Sequence, residues 1–184
     1  PAGGKGAPAR RTWRDAIRSR VAILGKKRPD IVDAGFSQAK DFPHIERAGL
    51  VKGHVPMSEQ RRYKMVVVVD GNSVADRLAQ QLVSKSAIVK QETDAWESWY
   101  GDLEPWVHYI PVNANMSDLE QKVEWGLAND ARLRGIARAS TEFVLSRLSP
   151  DAIMCHWAAL LHGLGSQMEG VTRSSGSVRR VSAP

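Results

Sequence analysis

The stretch MVVVVDGNSVADRL, residues 65–78, decides the fold. Its apolar, mostly β-branched residues run without interruption into Asp70 and Gly71, and a helical pattern begins directly afterwards. A short run that is apolar on both faces is typical of a strand in a parallel sheet, because helices cover both sides of such sheets. We therefore predict a buried strand that ends near Asp70, a tight turn, and a helix over residues 73–86.

Further strands and helices alternate along the rest of the chain. The segments AIVK (87–90) and PWVHYIPV (105–112) predict two more strands, and a helical pattern follows each of them. Two more helices come after the third strand-helix unit. Alternation with short connections predicts an α/β fold, namely a Rossmann-like parallel sheet with helices on both faces.

Capping residues predict where two of the later helices begin. Ser117 stands three residues before Glu120, which is the spacing of a capping box. Ser149 precedes Pro150, and proline is favoured at the first position of a helix because its missing N–H would be unpaired there in any case. We expect helices to start after Ser117 and after Ser149.

The charge distribution predicts a folded domain between two basic arms. Residues 1–30 carry nine Lys/Arg and two acids, and residues 171–184 carry three Arg and no acid. From this pattern and the Gly/Pro/Ser content we predict a disordered basic arm at residues 1–13 and a disordered tail at residues 166–184. The folded domain is predicted to span residues 14–165. Nucleic-acid binders usually carry a basic stripe on the folded surface, so we expect no nucleic-acid partner.

Several common classes of site are excluded by the absence of their motifs. The chain of 184 residues has no GxGxxG, GxxxxGK[ST], GxSxG or Asp-x-Asp motif, and its five histidines lack HExxH spacing. We therefore expect no nicotinamide, flavin or metal site. Cys155 is the single cysteine, which excludes an internal disulfide, and its apolar surroundings predict a buried thiol. The sequence contains no run of about 18 apolar residues, so it predicts no membrane span.

The first strand-to-helix junction predicts an anion site. Ligands of open α/β sheets bind beyond the carboxyl ends of the strands. Gly71 permits close approach of the backbone, and the small residues Asn72, Ser73 and Ala75 are expected to open a helix, where the dipole favours an anion. Arg77 can hold a phosphate with its guanidinium fork. These features predict a diphosphate site; the alternative is a tight turn whose arginine is merely solvated.

The segment EPWVHYIPV (104–112) contains a second candidate, His108. One interpretation places His108 at the end of a strand as a polar contact to a ligand. The other makes it a core histidine that is hydrogen-bonded to the backbone. The residues alone leave both open.

Three segments together resemble the carboxyl-terminal part of a known enzyme family. They are RPDIVDAGFS (28–37), YKMVVVVDGNSVADRLAQQLVSKSAIVKQE (63–92), and the segment 103–161, which begins LEPWVHYIPVNANMSDLEQKVEWGLAND. Their order resembles the protein O-glucosyltransferases of glycosyltransferase family 90, which includes fungal capsule-associated proteins and the animal Rumi-type enzymes. The resemblance covers roughly residues 14–165.

The resemblance implies the donor-binding half of a two-domain GT-B-type fold. It implies a UDP-sugar donor, UDP-glucose or UDP-xylose, and an inverting transfer to a hydroxyl of a protein or glycan acceptor, without a metal or other cofactor. It also implies work in the lumen of the endoplasmic reticulum or Golgi, with membrane association only through segments outside this chain. The implied donor-binding residues are Gly71, Asn72, Ser73, Val74, Ala75, Asp76, Arg77 and Arg20, with Arg18 as the alternative to Arg20.

The resemblance does not extend to the amino-terminal half of the family. That half carries the acceptor pocket and an aspartate that acts as general base, so we assign no catalytic residue here. Two hypotheses follow. The first is a glycosyltransferase domain that binds a UDP-sugar but does not transfer sugar by itself. The second is a non-catalytic member that binds nucleotide or a protein partner.

Overall fold

The centre of the fold is a parallel sheet of three strands in the order β1-β2-β3. The computed structural model describes residues 12–40, 42–71 and 73–168. The strands are β1 (Met65–Val68), β2 (Ala87–Gln91) and β3 (Ile110–Val112). Met65 pairs with Ala87, and Val89 pairs with Ile110. Because all three strands run in the same direction, their carboxyl ends meet at one edge of the sheet.

Helices form much of the rest of the described chain. In chain order they are α1 (Ile17–Lys27), α2 (Pro43–Arg47), α3 (Met57–Gln60), α4 (Leu78–Leu82), α5 (Leu119–Ala128), α6 (Asp130–Arg147) and α7 (Pro150–Gln167). Short 3₁₀ turns span Trp13–Asp15 and Tyr100–Asp102. Within the described ranges, every helix is too short or too polar to cross a membrane.

The central strand β2 is covered on both faces. Ala87 and Val89 belong to a core cluster with side chains of α1, α5 and α6. Since successive side chains of a strand point to opposite faces, Ile88 and Lys90 lie on the other face, where they are 0% and 7% exposed. This arrangement confirms the predicted α/β fold with a parallel sheet.

The helix predicted over residues 73–86 is much shorter in the structure. Only Leu78–Leu82 form α4, and the preceding residues are a turn. The physical reason is a local side-chain bond: Asp70 Oδ1 accepts the backbone N–H of Ala75 at 2.9 Å. Such aspartate-to-backbone bonds compete with helical hydrogen bonds.

The capping box predicted at Ser117 and Glu120 is also wrong. Helix α5 begins at Leu119 and Asp118 occupies the cap position. The Glu120 carboxylate instead pairs with the guanidinium of Arg28, which follows α1. A long-range ion pair has therefore replaced the predicted local bond.

The predicted third strand is shorter for a different reason. Of residues 105–112 only Ile110–Val112 are a strand, because residues 106–108 form a turn in which Trp106 has a φ of 65°. This left-handed backbone is rare for a residue with a large side chain. The Trp106 ring packs edge-on against Trp125, with 4.9 Å between ring centroids.

The chain divides into two compact units between Leu145 and Ser146, in the last turn of α6. In the second unit, the Ser149 Oγ accepts the N–H of Ala152 at 3.3 Å, which confirms the predicted cap of α7. Cys155 is exposed, so the predicted burial of its thiol is wrong. An apolar run indicates burial only where a helix face is covered, and α7 has no buried residue.

The predicted arms at residues 1–13 and 166–184 fall mostly outside the described residues. Their disorder stays a prediction. The part that is described contains Trp13, which begins the first 3₁₀ turn, and residues 166–168, which include the end of α7.

Candidate functional site

Asp70 organises the edge where the strands end. One oxygen, Oδ1, accepts the backbone N–H of Ala75, and the other, Oδ2, accepts the hydroxyl of Thr93. The backbone N–H of Asp70 donates to Gln91 Oε1 at 3.2 Å. Gln91 Nε2 in turn donates to the carbonyl of Ala114 at 2.7 Å. This set of bonds, which we call the edge network, joins the segments that follow β1, β2 and β3.

Gly71 provides space for an arginine of α1. A Cβ atom added to Gly71 would lie 3.0 Å from the Nη2 atom of Arg18. A side chain at this position would therefore crowd the guanidinium. The Gly71 N–H donates to the carbonyl of Ser73 at 3.0 Å, which closes the turn beneath Arg18. The glycine therefore lets the Arg18 guanidinium lie close to the backbone, while its predicted role in the approach of a ligand stays a prediction.

The two candidate arginines of α1 have different surroundings. Arg20 Nη1 donates to the carbonyl of Asn115 at 2.9 Å, and its Nη2 lies 3.6 Å from Asp15. The Arg18 side chain makes no hydrogen bond or ion pair with any residue that the structure describes. The structure therefore brings Arg18 to Gly71 with its donors free, whereas Arg20 is engaged near the end of β3. A donor-binding role for Arg20 stays a prediction.

Arg77 lies at the other end of the junction, as the residue before α4. It is half-buried, and its guanidinium has no ion pair with a described residue. Because α4 has only five residues, the dipole of the helix contributes little to an anion site here. The Gly71 and Ala75 amides donate within the turn, so an anion at the junction would depend mainly on the guanidinium groups of Arg18 and Arg77.

The other predicted donor-binding residues follow one another through the turn. Ser73 and Asp76 are exposed, Val74 is half-buried and Ala75 is buried, while Asn72 lies outside the described residues. The exposed part of the turn faces solvent and the buried part anchors it. We call residues 70–77 together with Arg18 the junction site.

Lys90 is a buried cation at the same edge that sequence reasoning missed. Its Nζ donates to the carbonyl of Gln91 at 3.1 Å and lies 5.0 Å from the ring centre of Tyr100. Burial lowers the pKa of the Lys90 ammonium, and the negative charges of Asp70 and Glu92 act in the opposite direction. The only signal in the sequence was a lysine inside the otherwise apolar strand AIVK.

Thr93 was also missed by the sequence analysis, although its bond to Asp70 joins the ends of two strands.

For His108, the structure favours the second interpretation, a histidine hydrogen-bonded to the backbone. Its Nδ1 accepts the backbone N–H of Glu104 at 2.9 Å, and its ring lies against Phe143, with centroids 5.0 Å apart. It is a packed histidine bonded to the backbone. Among residues 12–40, 42–71 and 73–168, no group of three His, Cys, Asp or Glu side chains could hold a metal ion.

Comparison with known proteins identifies the family. The family description Glycosyl transferase family 90 matches residues 5–182. The chain belongs to glycosyltransferase family 90. Protein O-glucosyltransferase 2 of Danio rerio is 31% identical over 150 residues, which are 80% of this family 90 chain and 30% of the fish protein. Protein O-glucosyltransferase 3 of Homo sapiens has the same identity and the same shares.

A viral relative matches as well. Uncharacterized protein 035R of Invertebrate iridescent virus 3 is 35% identical over 164 residues, which are 82% of this chain and 15% of the viral protein. The family 90 chain thus spans from about a seventh to a third of the length of these three relatives. The resemblance of the three quoted segments to the family is confirmed.

A solved structure shows the same fold. The crystal structure of TarM aligns with a TM-score of 0.57 over 83% of this chain and 33% of the TarM chain, at 19% identity. At this low identity the likeness concerns the fold alone. The family 90 chain is a Rossmann-like half of a GT-B-type fold, as predicted.

Proposed function

We propose that this chain binds a UDP-sugar, UDP-glucose or UDP-xylose, as the donor-binding half of an inverting glycosyltransferase. The acceptor is a hydroxyl of a protein or glycan, and neither a metal nor another cofactor takes part. The observation that carries the proposal is the junction site, where the Arg18 guanidinium lies against Gly71, Arg77 ends the turn, and neither side chain has an ion pair to a described residue. Membership of family 90 and relatives named protein O-glucosyltransferase support it.

The chemistry of a diphosphate fits these groups. Each guanidinium offers planar paired donors that match two phosphate oxygens. Both Asp70 oxygens accept within the site, from Ala75 and Thr93, so part of the acceptor capacity of this carboxylate is already used. The carboxylate instead holds the turn in a shape that an anion can approach.

The transfer step requires a group that we do not assign to this chain. An inverting displacement needs a base beside the acceptor hydroxyl, in line with the bond to the leaving UDP. Asp70 has both oxygens engaged, and none of the buried residues that the structure describes is an Asp or Glu. We therefore propose that the base comes from the other half of a GT-B-type enzyme, and that this chain alone binds UDP without transferring sugar.

Calorimetric titration with UDP tests the proposal. Arg77→Ala should weaken binding by about 2–4 kcal/mol, because a charge-assisted pair with phosphate is lost. Arg77→Lys should recover only part of this loss, since the fork is absent. The matched control is Arg62→Ala, an exposed arginine outside the junction site. If Arg77→Ala binds UDP as well as the unchanged chain does, the proposal is wrong.

A second candidate function is nucleotide binding without transfer, which the engaged state of Asp70 also favours. The two functions differ when the amino-terminal half of a family 90 relative is supplied as a separate chain or as a fusion. Release of UDP that depends on an acceptor would support the glycosyltransferase. Tight UDP binding with no release in either form would support the non-catalytic alternative.

Family membership also supports a proposed location in the lumen of the endoplasmic reticulum or Golgi. A fusion of a family-type signal sequence with an asparagine glycosylation site added to an exposed loop would test this. Addition of a glycan in secreting cells would show that the domain folds in that compartment. A domain that is retained and degraded there would contradict the proposal.

A further inference from the structure

The segment between β3 and α5 contains the triplet Asn115-Met116-Ser117. Asparagine followed two residues later by serine or threonine, with no proline between them, is the acceptor pattern for asparagine-linked glycosylation. It is the only such triplet among the 184 residues, because the other three asparagines have Val74, Asn115 and Ala131 at the required position. The pattern is short and also occurs by chance, so the surroundings of Asn115 determine what it means.

The two ends of the triplet are exposed, and its middle residue is buried. Met116 is 6% exposed and packs in the core cluster with side chains of the sheet and of α5. Its backbone is left-handed, with a φ of 58°. Asn115 and Ser117 therefore lie on the surface of a segment that the Met116 side chain anchors. A surface segment that is fixed to the core can carry a bulky, soluble group without disturbing the packing.

The Asn115 side chain is held by its oxygen, and its nitrogen is free. Its Oδ1 accepts the backbone N–H of Ser117 at 3.0 Å, and its main-chain carbonyl accepts Arg20 Nη1 at 2.9 Å. The Asn115 Nδ2 donates to no residue that the structure describes. An asparagine amide nitrogen carries two hydrogens. A sugar on Nδ2 would replace one of them and leave Oδ1 unchanged, so the bond to Ser117 would persist.

The other described asparagines have a different arrangement. Asn113 Nδ2 donates to the Ser117 hydroxyl at 3.3 Å, and Asn129 Nδ2 donates to the carbonyl of Trp125 at 2.8 Å. Of the three asparagines in the described part of the chain, only Asn115 has an amide nitrogen without a described partner. The residue that the sequence pattern selects is therefore the one whose reactive atom the fold leaves open. The two observations are independent, since one comes from the order of residues and the other from the packed structure.

We propose that Asn115 is a site of asparagine-linked glycosylation. The proposal rests on the proposed lumenal location, because the transferring enzyme and its donor, a lipid-linked diphosphate oligosaccharide, act in the lumen. A C–N bond forms between Asn115 Nδ2 and the anomeric carbon of the first sugar, while the bond from that carbon to the phosphate oxygen breaks. The lipid diphosphate leaves with the bonding electrons, and one Nδ2 proton passes to a base of the transferring enzyme.

The glycan would stand beside the junction site and outside it. Asn115 follows β3, whereas the junction site follows β1, and β2 lies between these two strands. Neighbouring strands are about 4.8 Å apart, so roughly 10 Å separate the ends of β1 and β3. The Ser117 hydroxyl is needed only for recognition by the transferring enzyme, because Asp118 occupies the cap position of α5.

Expression behind the cleavable signal sequence of a secreted protein tests the site apart from the natural location, because that signal imposes entry into the lumen. The secreted chain should migrate as a form with one glycan, and an amidase specific for asparagine-linked glycans should remove the difference. This amidase leaves aspartate in place of the modified asparagine. In water enriched in the heavy oxygen isotope, mass spectrometry should therefore find a labelled aspartate at position 115 and at no other asparagine position.

Four variants identify the acceptor. Asn115→Gln removes the amide nitrogen at this position and Ser117→Ala removes the required hydroxyl, so each should abolish the glycan. Ser117→Thr keeps the hydroxyl and should keep the glycan. Asn113→Gln is the matched control, because it changes an exposed asparagine two residues away that lies outside the pattern, and it should also keep the glycan. Since the fold leaves Nδ2 open, the glycosylated chain should be secreted at least as efficiently as Asn115→Gln.

The outcomes separate this site from the proposed location. A secreted chain that has lost its signal and carries no glycan on Asn115 would overturn the inference, and so would retention of the glycosylated form while Asn115→Gln is secreted. The location experiment described above adds a glycosylation site of its own, so an Asn115→Gln background keeps the two glycans apart. If that fusion fails while Asn115 is modified behind the imposed signal, the proposed location is wrong and the acceptor site stands.

Discussion

The bond between Asp70 and Thr93 offers a direct test of how the site is held together. Asp70→Ala removes two acceptors at once, one for the Ala75 N–H at 2.9 Å and one for the Thr93 hydroxyl. Hydrogen bonds to charged groups contribute about 1.5–3 kcal/mol each, and the half-exposed position of Asp70 favours the lower value. We expect Asp70→Ala to lower the free energy of unfolding by about 3 kcal/mol and Thr93→Val by about 1.5 kcal/mol.

A double-mutant cycle isolates the shared bond. Since both changes remove the same contact, the double variant should be less destabilised than the sum of the two, by about 1–1.5 kcal/mol. Urea unfolding followed by circular dichroism measures all four proteins. UDP binding should weaken in Asp70→Ala, because the turn at Gly71 loses its anchor. Asp94→Asn changes an exposed aspartate two residues after Glu92; it is the control and should stay within about 0.5 kcal/mol. Purely additive losses would show that Asp70 and Thr93 do not stabilise each other.

Two further predictions concern packing and pH. Gly25→Ala should lower the free energy of unfolding although alanine favours helices, because its Cβ would lie 2.7 Å from the backbone carbonyl oxygen of Ala34. Gly135→Ala has open space around it and should instead raise the free energy of unfolding by about 0.5–1 kcal/mol. Urea titrations that rank the two variants the other way would contradict this. The Lys52 ammonium, 2.6 Å away, and a tyrosine hydroxyl hold the pKa of Asp33 below its ordinary value of 3.8. This depressed pKa contributes stability that is complete above that value and is lost as the pH falls through the folded-state pKa, so the stability difference between the unchanged chain and Asp33→Asn should shrink from about pH 6 to about pH 3. A constant difference in urea unfolding over that range would exclude the effect.

The strands were predictable because their sequence signal is simple. Residues 65–68 and 87–89 are apolar on both faces, and a parallel sheet covered on both sides accommodates such runs. Helix beginnings were less predictable, since they depend on which side chain captures which backbone group. Asp70 accepts the Ala75 amide and so prevents a helix from starting there, and Arg28 pairs with Glu120, which therefore forms no capping box.

The candidate site was predictable where it is local and hidden where it is assembled from distant residues. Gly71 and Arg77 lie within one short stretch, so the strand-turn-helix pattern was enough to predict them as site residues. The proximity of Arg18 to Gly71 depends on the packing of α1, and no spacing in the sequence encodes it. A cavity around Tyr100 joins segments that follow and precede different strands. The cavity depends on the register of β2 against β3, which the sequence alone does not give.

The edge network has a consequence for the order in which the domain matures. Its bonds join three chain segments that are about twenty residues apart, so they form only when all three parallel strands have paired. A partly folded chain consequently lacks a shaped junction site, and a nucleotide that binds there selects the completed fold. Binding to the completed fold alone stabilises it by RT ln(1 + [L]/Kd), about 2.7 kcal/mol at one hundred times Kd. In a compartment rich in such a nucleotide, binding would favour folding, and amide hydrogen exchange in β2 and β3 would slow together as the nucleotide concentration rises.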